Sequence, residues 1–159
     1  MRIVKDGREW QDHWRVLTDD EVVGVTPAIL PLARWRAASP ATGVSPHGLL
    51  VQPDDELPAV LAAAPRCALV AIDFPSFNDG RGYSFAQQLR AAGYSGELRA
   101  VGDVLRDQAF YLARCGFSSF APASHVPSAS FIAGLGDFSL VYQGSADQRT
   151  IVQRLRHAR

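Results

Sequence analysis

Cysteine is scarce in this chain of 159 residues, and its histidines are few and scattered. The two cysteines, Cys67 and Cys115, lie far apart and outside any C-x-x-C arrangement, so neither a disulfide framework nor a thiolate metal site is indicated. We predict that both are small buried hydrophobic residues. The four histidines show no H-x-H or H-E-x-x-H spacing, and the sequence therefore predicts no metal centre.

Net charge and long apolar runs are also lacking. Sixteen basic residues balance sixteen acidic ones, which excludes the broad electropositive surface that non-specific binding of nucleic acids or membranes requires. No segment approaches the roughly 20 apolar residues of a membrane span. The N-terminal segment also has no apolar core of signal-peptide length. We therefore expect a cytoplasmic protein that binds neither nucleic acid nor membrane, with any anion site confined to a local cluster.

What the chain does have is an alternation of apolar runs and helical patterns. Hydrophobic residues make up 47% of the sequence, enough for one compact domain over residues 1–159. From residue 22 the pattern is β-α-β-α-β, with strands predicted in VVGVT, HGLLVQP, CALVAIDF, ELRAVGDV and FSSFAP. The nearly continuous apolar run of residues 68–74 is typical of a central parallel strand.

The predicted fold is therefore a single α/β domain with a mostly parallel sheet built from consecutive βα units. The pattern leaves two topologies open, an open doubly wound sheet and a partial barrel. Asp6-Gly7 supplies the positive φ angles of a tight turn, so we expect a small N-terminal hairpin. A helix is predicted over 85–92, with Ser84 as its N-cap, Gln87 as the capping-box partner and Gly93 as its terminator.

Charged residues follow the ends of two neighbouring predicted strands. Loops that leave the carboxyl ends of parallel strands share one edge of the sheet, where ligands usually bind. We therefore expect Asp73, Asp79, Arg81, Asp103 and Arg106 to converge there. The candidate catalytic residues are the three acids, which are of the type that serves as general acid or base; Asp73 and Asp103 equally well cap loops or helices.

The segment DGRGYS between these acids predicts a cradle for a small oxyanion or a phosphate. Its glycines allow close approach of backbone amides, its arginine offers a forked donor, and the following helix adds the positive end of its dipole. The alternative is that Arg81 pairs with Asp79 or Asp103 to hold two loops together, while the glycines serve only the turn. The residues predicted to bind a ligand or anion are Gly80, Arg81, Gly82, Tyr83, Ser84 and Arg106.

Two further motifs in this segment are incomplete. GRGYSF has Phe85 where the dinucleotide fingerprint G-x-G-x-x-G has its third glycine. GYSFA has Ala86 where the nucleophile elbow G-x-S-x-G has its last glycine, and Ser84 is already explained as a helix cap. Nicotinamide binding and serine hydrolase chemistry are both disfavoured.

The blocks FPSFNDGRGYSFAQQLR, GYSGELRAVGDVLRDQ and RCGF resemble the bacterial family called "domain of unknown function 934". The segments MRIVKDGREWQDHW and LPLARW are similar to the same family, and the region after residue 122 matches loosely. Asn78 and Ser118 depart from the residues that are usual there. The resemblance implies a cytoplasmic bacterial protein, an oxidoreductase or an accessory subunit of one, encoded beside the sulfite reductase haemoprotein of assimilatory sulfate reduction. It brings no established catalytic residues and identifies no cofactor.

Three hypotheses follow from the resemblance and from the loops at the sheet edge. The first is an accessory protein that acts with sulfite reductase in electron delivery, maturation or anion handling. The second is a stand-alone enzyme that binds a phosphorylated ligand or a flavin at the same sheet edge. The third is a non-catalytic structural partner of the reductase.

Overall fold

A computed structural model describes residues 1–17, 21–24, 27–40 and 42–137 of the chain. Within these residues the protein is an α/β domain with eight strands and five α-helices. The strands are β1 Arg2–Lys5, β2 Arg8–Gln11, β3 Arg15–Val16, β4 Ala28–Pro31, β5 Gly48–Val51, β6 Leu69–Phe74, β7 Glu97–Gly102 and β8 Ser119–Phe120. The helices are α1 Leu32–Ala38, α2 Leu57–Ala63, α3 Arg81–Ala91, α4 Ala109–Arg114 and α5 Ser128–Gly134.

All eight strands form one sheet in the order β2-β1-β8-β7-β6-β5-β4-β3. From β3 to β8 each strand lies beside its neighbour in sequence and parallel to it. The predicted N-terminal hairpin is present, and β1 also pairs antiparallel with β8. The prediction of a mostly parallel sheet is therefore wrong. The sheet is mixed, because the hairpin joins the edge that β8 would otherwise leave unpaired.

The sheet curls into a half-barrel, and the short link between β2 and β3 explains why. These two strands occupy opposite edges of the sheet, yet only residues 12–14 connect them. A flat sheet of eight strands would separate its edges by about 34 Å, whereas a link of this length spans at most about 14 Å. Of the two predicted topologies, the partial barrel is the one observed, and the doubly wound sheet is wrong.

Side chains on the two faces of the sheet form two separate apolar clusters. The convex face packs against the helices, and the largest buried residues of this cluster include Phe74 of β6, Trp35 of α1 and Phe131 of α5. The concave face carries a smaller cluster that contains Leu50, Ala71 and their neighbours. Alternation along each strand therefore gives one face to the helices and the other to the interior of the half-barrel.

Two predicted element boundaries are wrong. Residues 22–24 of the predicted strand VVGVT are not in a strand, residues 25–26 lie outside the described part, and β4 begins at Ala28. Helix α3 begins at Arg81, so Ser84 lies within its first turns and is not the N-cap. The backbone N–H of Arg81 donates to Asp79 Oδ1 at 3.1 Å, so a carboxylate five residues before Ser84 accepts an N–H of the first turn.

Both cysteines are free and buried, as predicted. Burial raises the pKa of the Cys67 thiol to about 12, so this group is not a thiolate at neutral pH. None of the helices in the described ranges is long and apolar enough to cross a membrane.

Candidate functional site

The carboxyl ends of β5, β6 and β7 bring three loops to one edge of the half-barrel, which we call the C-terminal edge. Arg81, at the start of α3, joins two of these loops. Its Nε and Nη2 donate to the two oxygens of Asp79 at 3.0 and 2.7 Å, and its Nη1 donates to Asp54 Oδ1 at 2.6 Å. The pairing predicted with Asp79 is present, and Asp54 on the β5–α2 loop is a partner that the sequence did not indicate.

The Asp79–Arg81 pair is set up by the local chain path. One residue, Gly80, lies between the two, and Asp79 Oδ1 accepts both from Arg81 Nε and from the backbone N–H that begins the helix. Hydrogen bonds from the Arg81 side chain and backbone hold the pKa of Asp79 below its usual value. Those from Asp79 and Asp54 raise the pKa of Arg81. An oxyanion at this position would compete with two carboxylates for the guanidinium, and the anion cradle stays a prediction.

The two glycines beside Arg81 have different surroundings. Gly82 is buried, and a Cβ there would lie 2.6 Å from the ring of Phe74. Gly82 therefore allows α3 to pack closely on β6. A Cβ at Gly80 would have no atom within 4 Å, so the surroundings of Gly80 leave room for a side chain.

Asp73 is a half-buried acid of the edge, near the end of β6 on the concave side of the sheet. Burial, and then the charge of Asp79, raise the pKa of Asp73 above its ordinary value. Gly102 on the neighbouring strand β7 has no side chain and so leaves space for the Asp73 carboxylate; its φ is +94°. A Cβ at Gly102 would lie 2.6 Å from Asp73 Oδ1. A carboxyl group with a raised pKa at a sheet edge suits proton transfer, which keeps Asp73 a candidate general acid or base.

Asp103 fixes the loop that follows β6. Its Oδ2 accepts the backbone N–H of Phe77 at 3.1 Å, and the Phe77 carbonyl accepts from Gln108 Nε2 at 3.5 Å. Phe77 itself is 46% exposed. Asp103 thus holds two loops of the edge together, which is the capping role predicted as an alternative to catalysis.

The remaining predicted residues lie around these loops. Arg106 pairs with Asp137 at 3.0 Å and with Asp107 at 3.6 Å. Tyr83 is half-buried, and its ring centroid lies 5.1 Å from that of Phe74, an edge-to-face contact that packs α3 on the sheet. Ser84 is exposed on α3. The structure therefore gathers Asp54, Asp79 and Arg81 directly, places Asp73 and Asp103 at the same edge, and pairs Arg106 with other acids.

A second charged cluster lies on the concave face, and it was not predicted from the sequence. Arg99 on β7 contacts Asp12 Oδ2 at 2.5 Å and Glu97 Oε1 at 2.6 Å through Nη2. Lys5 Nζ donates to the other Glu97 oxygen at 2.7 Å, and Ser119 Oγ donates to Glu97 Oε1 at 2.6 Å. We call these five residues the concave cluster.

Glu97 is the centre of the concave cluster. Burial alone would raise the pKa of Glu97, but hydrogen bonds from Lys5, Ser119 and Arg99 hold that pKa below its ordinary value. A signal for this cluster was present in the segment ELRAV, because residues two apart in a strand share a face. Charged residues are almost never fully buried unless they are paired, so Glu97 and Arg99 in a central strand indicated partners across the sheet.

In the described part of the chain, no group of three or more His, Cys, Asp or Glu side chains is placed to hold a metal ion. No curated protein and no solved structure gives a significant match to the chain. A family model does match, described as "Bacterial protein of unknown function (DUF934)", over residues 48–152. The match contains the strands, loops and helices that build the C-terminal edge, and the chain belongs to this DUF934 family.

Proposed function

We propose that this chain is a cytoplasmic accessory protein of assimilatory sulfite reduction that docks onto the sulfite reductase haemoprotein through its C-terminal edge. The pathway rests on the resemblance described above. The charge and shape of the C-terminal edge support docking as the mode of action. Docking serves electron delivery and maturation of the reductase alike, since both require contact between the two proteins.

The charge of the edge favours a basic protein surface over a small oxyanion. The loops and strand ends after β5, β6 and β7 contain seven carboxylates and two arginines: Asp54, Asp55, Glu56, Asp73, Asp79, Asp103 and Asp107, with Arg81 and Arg106. Both arginines already pair with acids. An acidic surface repels sulfite and phosphate, whereas it steers a basic partner and sets its orientation.

Phe77 is the observation that carries the proposal. Its side chain is 46% exposed, while its backbone is held at both ends by Asp103 and Gln108. The Gln108 side chain is itself fixed, because its Oε1 accepts the backbone N–H of Leu105 at 2.8 Å. An exposed aromatic whose backbone is anchored inside a charged rim is suited to serve as an interface hot spot.

The test measures binding of the purified chain to the purified sulfite reductase haemoprotein of the same bacterium. We expect the complex to weaken as salt rises, since exposed charges are screened. Phe77→Ala should weaken it by about thirtyfold or more, the loss typical of a hot spot. Trp10→Ala is the matched control, because Trp10 on β2 is 51% exposed and lies outside the loops that form the edge. Absence of a complex, or equal affinity of the Phe77 variant and wild type, contradicts the proposal.

Asp73 favours a second candidate, a stand-alone enzyme at the same edge that binds a phosphorylated ligand or a flavin. The raised pKa of this carboxyl is a property of proton-transfer groups. A visible absorption spectrum of the protein purified from its native host separates the two, since a flavin chromophore supports the enzyme. The third hypothesis, a purely structural partner, predicts that the reductase without this chain loses thermal stability but keeps its turnover per folded molecule.

A further inference from the structure

The concave face holds a cavity of about 410 Å³ beside the concave cluster. It lies between β1, β2, β7 and the link that closes the half-barrel. The residues that line it include Lys5, Trp10, Asp12, Trp14, Glu97 and Arg99. Its volume is in the range of pockets that bind small molecules.

Arg99 gives this cavity an unused donor. The side chain is 1% exposed, and Nη2 and Nε are engaged by Asp12, Glu97 and Ser119. Nη1 is buried and has no hydrogen-bond partner among the residues that the structure describes. Buried polar groups are nearly always hydrogen-bonded. An acceptor supplied by a ligand in the cavity would satisfy Nη1.

The charges around Arg99 disfavour an anion as that ligand. Asp12 and Glu97 already balance Arg99 and Lys5, and Asp6 adds a further carboxylate to the cavity wall. A sulfite or phosphate ion would meet this acidic surplus and would fill only a small part of the volume. A neutral oxygen acceptor meets the needs of Nη1 without adding charge.

The wall also offers aromatic surface. Trp10 is 51% exposed, and its Nε1 donates to the Lys5 carbonyl at 3.2 Å, which fixes the indole at the rim. Trp14 lines the same cavity and is half-buried. Indole rings provide stacking surface for planar rings.

We propose that this cavity binds a small planar heteroaromatic molecule with a ring carbonyl, which accepts from Arg99 Nη1 while its ring packs on the tryptophans. The site lies on the concave face and does not depend on docking through the C-terminal edge.

The first test compares two bicyclic probes of similar size, lumazine, which has ring carbonyls, and quinoxaline, which has none. In a spectrum of the indole N–H groups of the intact protein, lumazine should shift the signals of Trp10 and Trp14. The signal of Trp35 should stay, because its Nε1 donates to the His47 carbonyl beneath α1, where it is buried. Equal binding of the two probes, or no binding of lumazine, overturns the proposal.

The second test uses variants with a matched pair of exposed aromatics. Trp10→Ala should weaken lumazine binding about fivefold or more, the loss typical of one stacking partner. Phe77→Ala, which removes an aromatic of similar exposure at the C-terminal edge, should leave it unchanged. Arg99→Lys keeps the charge but removes Nη1 and should abolish the preference for lumazine. Should this variant not fold, the probe comparison and Trp10→Ala still decide. Displacement of lumazine by inorganic sulfite would assign the cavity to anions and overturn the proposal.

Discussion

Arg81 and Arg99 have the same pairing and opposite environments. Each guanidinium is held by two carboxylates, Arg81 by Asp79 and Asp54, Arg99 by Asp12 and Glu97. The Arg81 side chain is 54% exposed and that of Arg99 is 1% exposed. Exposed ion pairs contribute little to stability because water and salt screen them. A buried pair becomes costly once one partner is removed.

This difference assigns separate roles to the two regions. The C-terminal edge keeps its charges available to a partner, because its ion pairs can open at little cost. The concave cluster holds the link of residues 12–14 against β7 through Asp12, and this link closes the half-barrel. Four predictions test the contrast, from the largest expected effect to the smallest.

The largest effect is expected from Arg99→Met, which would leave the half-buried carboxylates of Asp12 and Glu97 without their main partner. We expect a loss of about 3–5 kcal/mol in the free energy of unfolding, measured by urea denaturation. The triple variant Asp12→Asn, Glu97→Gln, Arg99→Met removes the charges together and should recover much of this loss. If the single variant unfolds like wild type, the concave cluster does not hold the fold together.

A smaller loss is expected from Gly82→Ala at the C-terminal edge. The new Cβ would meet the Phe74 ring at 2.6 Å and Ile72 Cγ2 at 3.1 Å. Because Phe74 is fully buried and cannot move away freely, we expect destabilisation of about 1–3 kcal/mol. Gly80→Ala is the control, since nothing lies within 4 Å of its Cβ position. If Gly82→Ala is as stable in urea as Gly80→Ala, the close packing of α3 on β6 does not require a glycine at residue 82.

The pH dependence of stability should differ in sign between the two regions. The lowered pKa of Glu97 means that its ionised form stabilises the fold at neutral pH. That contribution is lost as pH falls from the ordinary glutamate range through the lower pKa of the folded state. The raised pKa of Asp73 acts in reverse, because its ionised form is disfavoured in the folded protein. Stability from its protonation is lost as pH rises from the ordinary aspartate range through the folded pKa.

Variants separate these two contributions. In urea unfolding between pH 3 and 7, Glu97→Gln should show less gain of stability with rising pH than wild type. Asp73→Asn should show more gain, and it should be slightly more stable than wild type at pH 7. Parallel curves for wild type and both variants would contradict the assignment.

Local patterns in the sequence predicted much of the fold because strands and tight turns depend on residues that are close together in the chain. The apolar run of residues 68–74 forms β6, and the Asp6-Gly7 turn has φ +52° and +69°. The short β2–β3 link curls the sheet only because β1 pairs with β8, more than one hundred residues away, which places β2 and β3 at opposite edges. No local pattern reports such pairing, so the choice between an open sheet and a partial barrel stayed open.

The candidate site was predicted as a set of residues, and of its contacts only the pairing of Arg81 with Asp79 was anticipated, as an alternative to the anion cradle. Strand direction alone was enough to place Asp73, Asp103 and Arg81 together at the sheet edge. It could not indicate Asp54, whose contact with Arg81 depends on how far the β5–α2 loop reaches. Ser84 is not the cap because α3 begins three residues earlier, at Arg81, whose backbone N–H donates to the Asp79 carboxylate.

Arg81→Ala is expected to have the smallest effect on stability, and it separates docking from anion binding. The urea midpoint should stay close to wild type, because Arg81 and Asp54 are exposed and the less exposed Asp79 still accepts the backbone N–H of residue 81. Removing the arginine leaves Asp54 and Asp79 unbalanced, so the edge becomes more acidic. If the edge docks on a basic surface of sulfite reductase, the rate of association at low salt should rise by about twofold. This is a small part of the roughly ten- to thousandfold acceleration that electrostatic steering can supply. If the edge is an oxyanion cradle, sulfite binding should instead be lost, and the rate of association should stay unchanged. Stopped-flow measurement of association at two salt concentrations, together with calorimetric titration of sulfite, distinguishes docking from anion binding. A large fall in the urea midpoint of Arg81→Ala would contradict the contrast with Arg99.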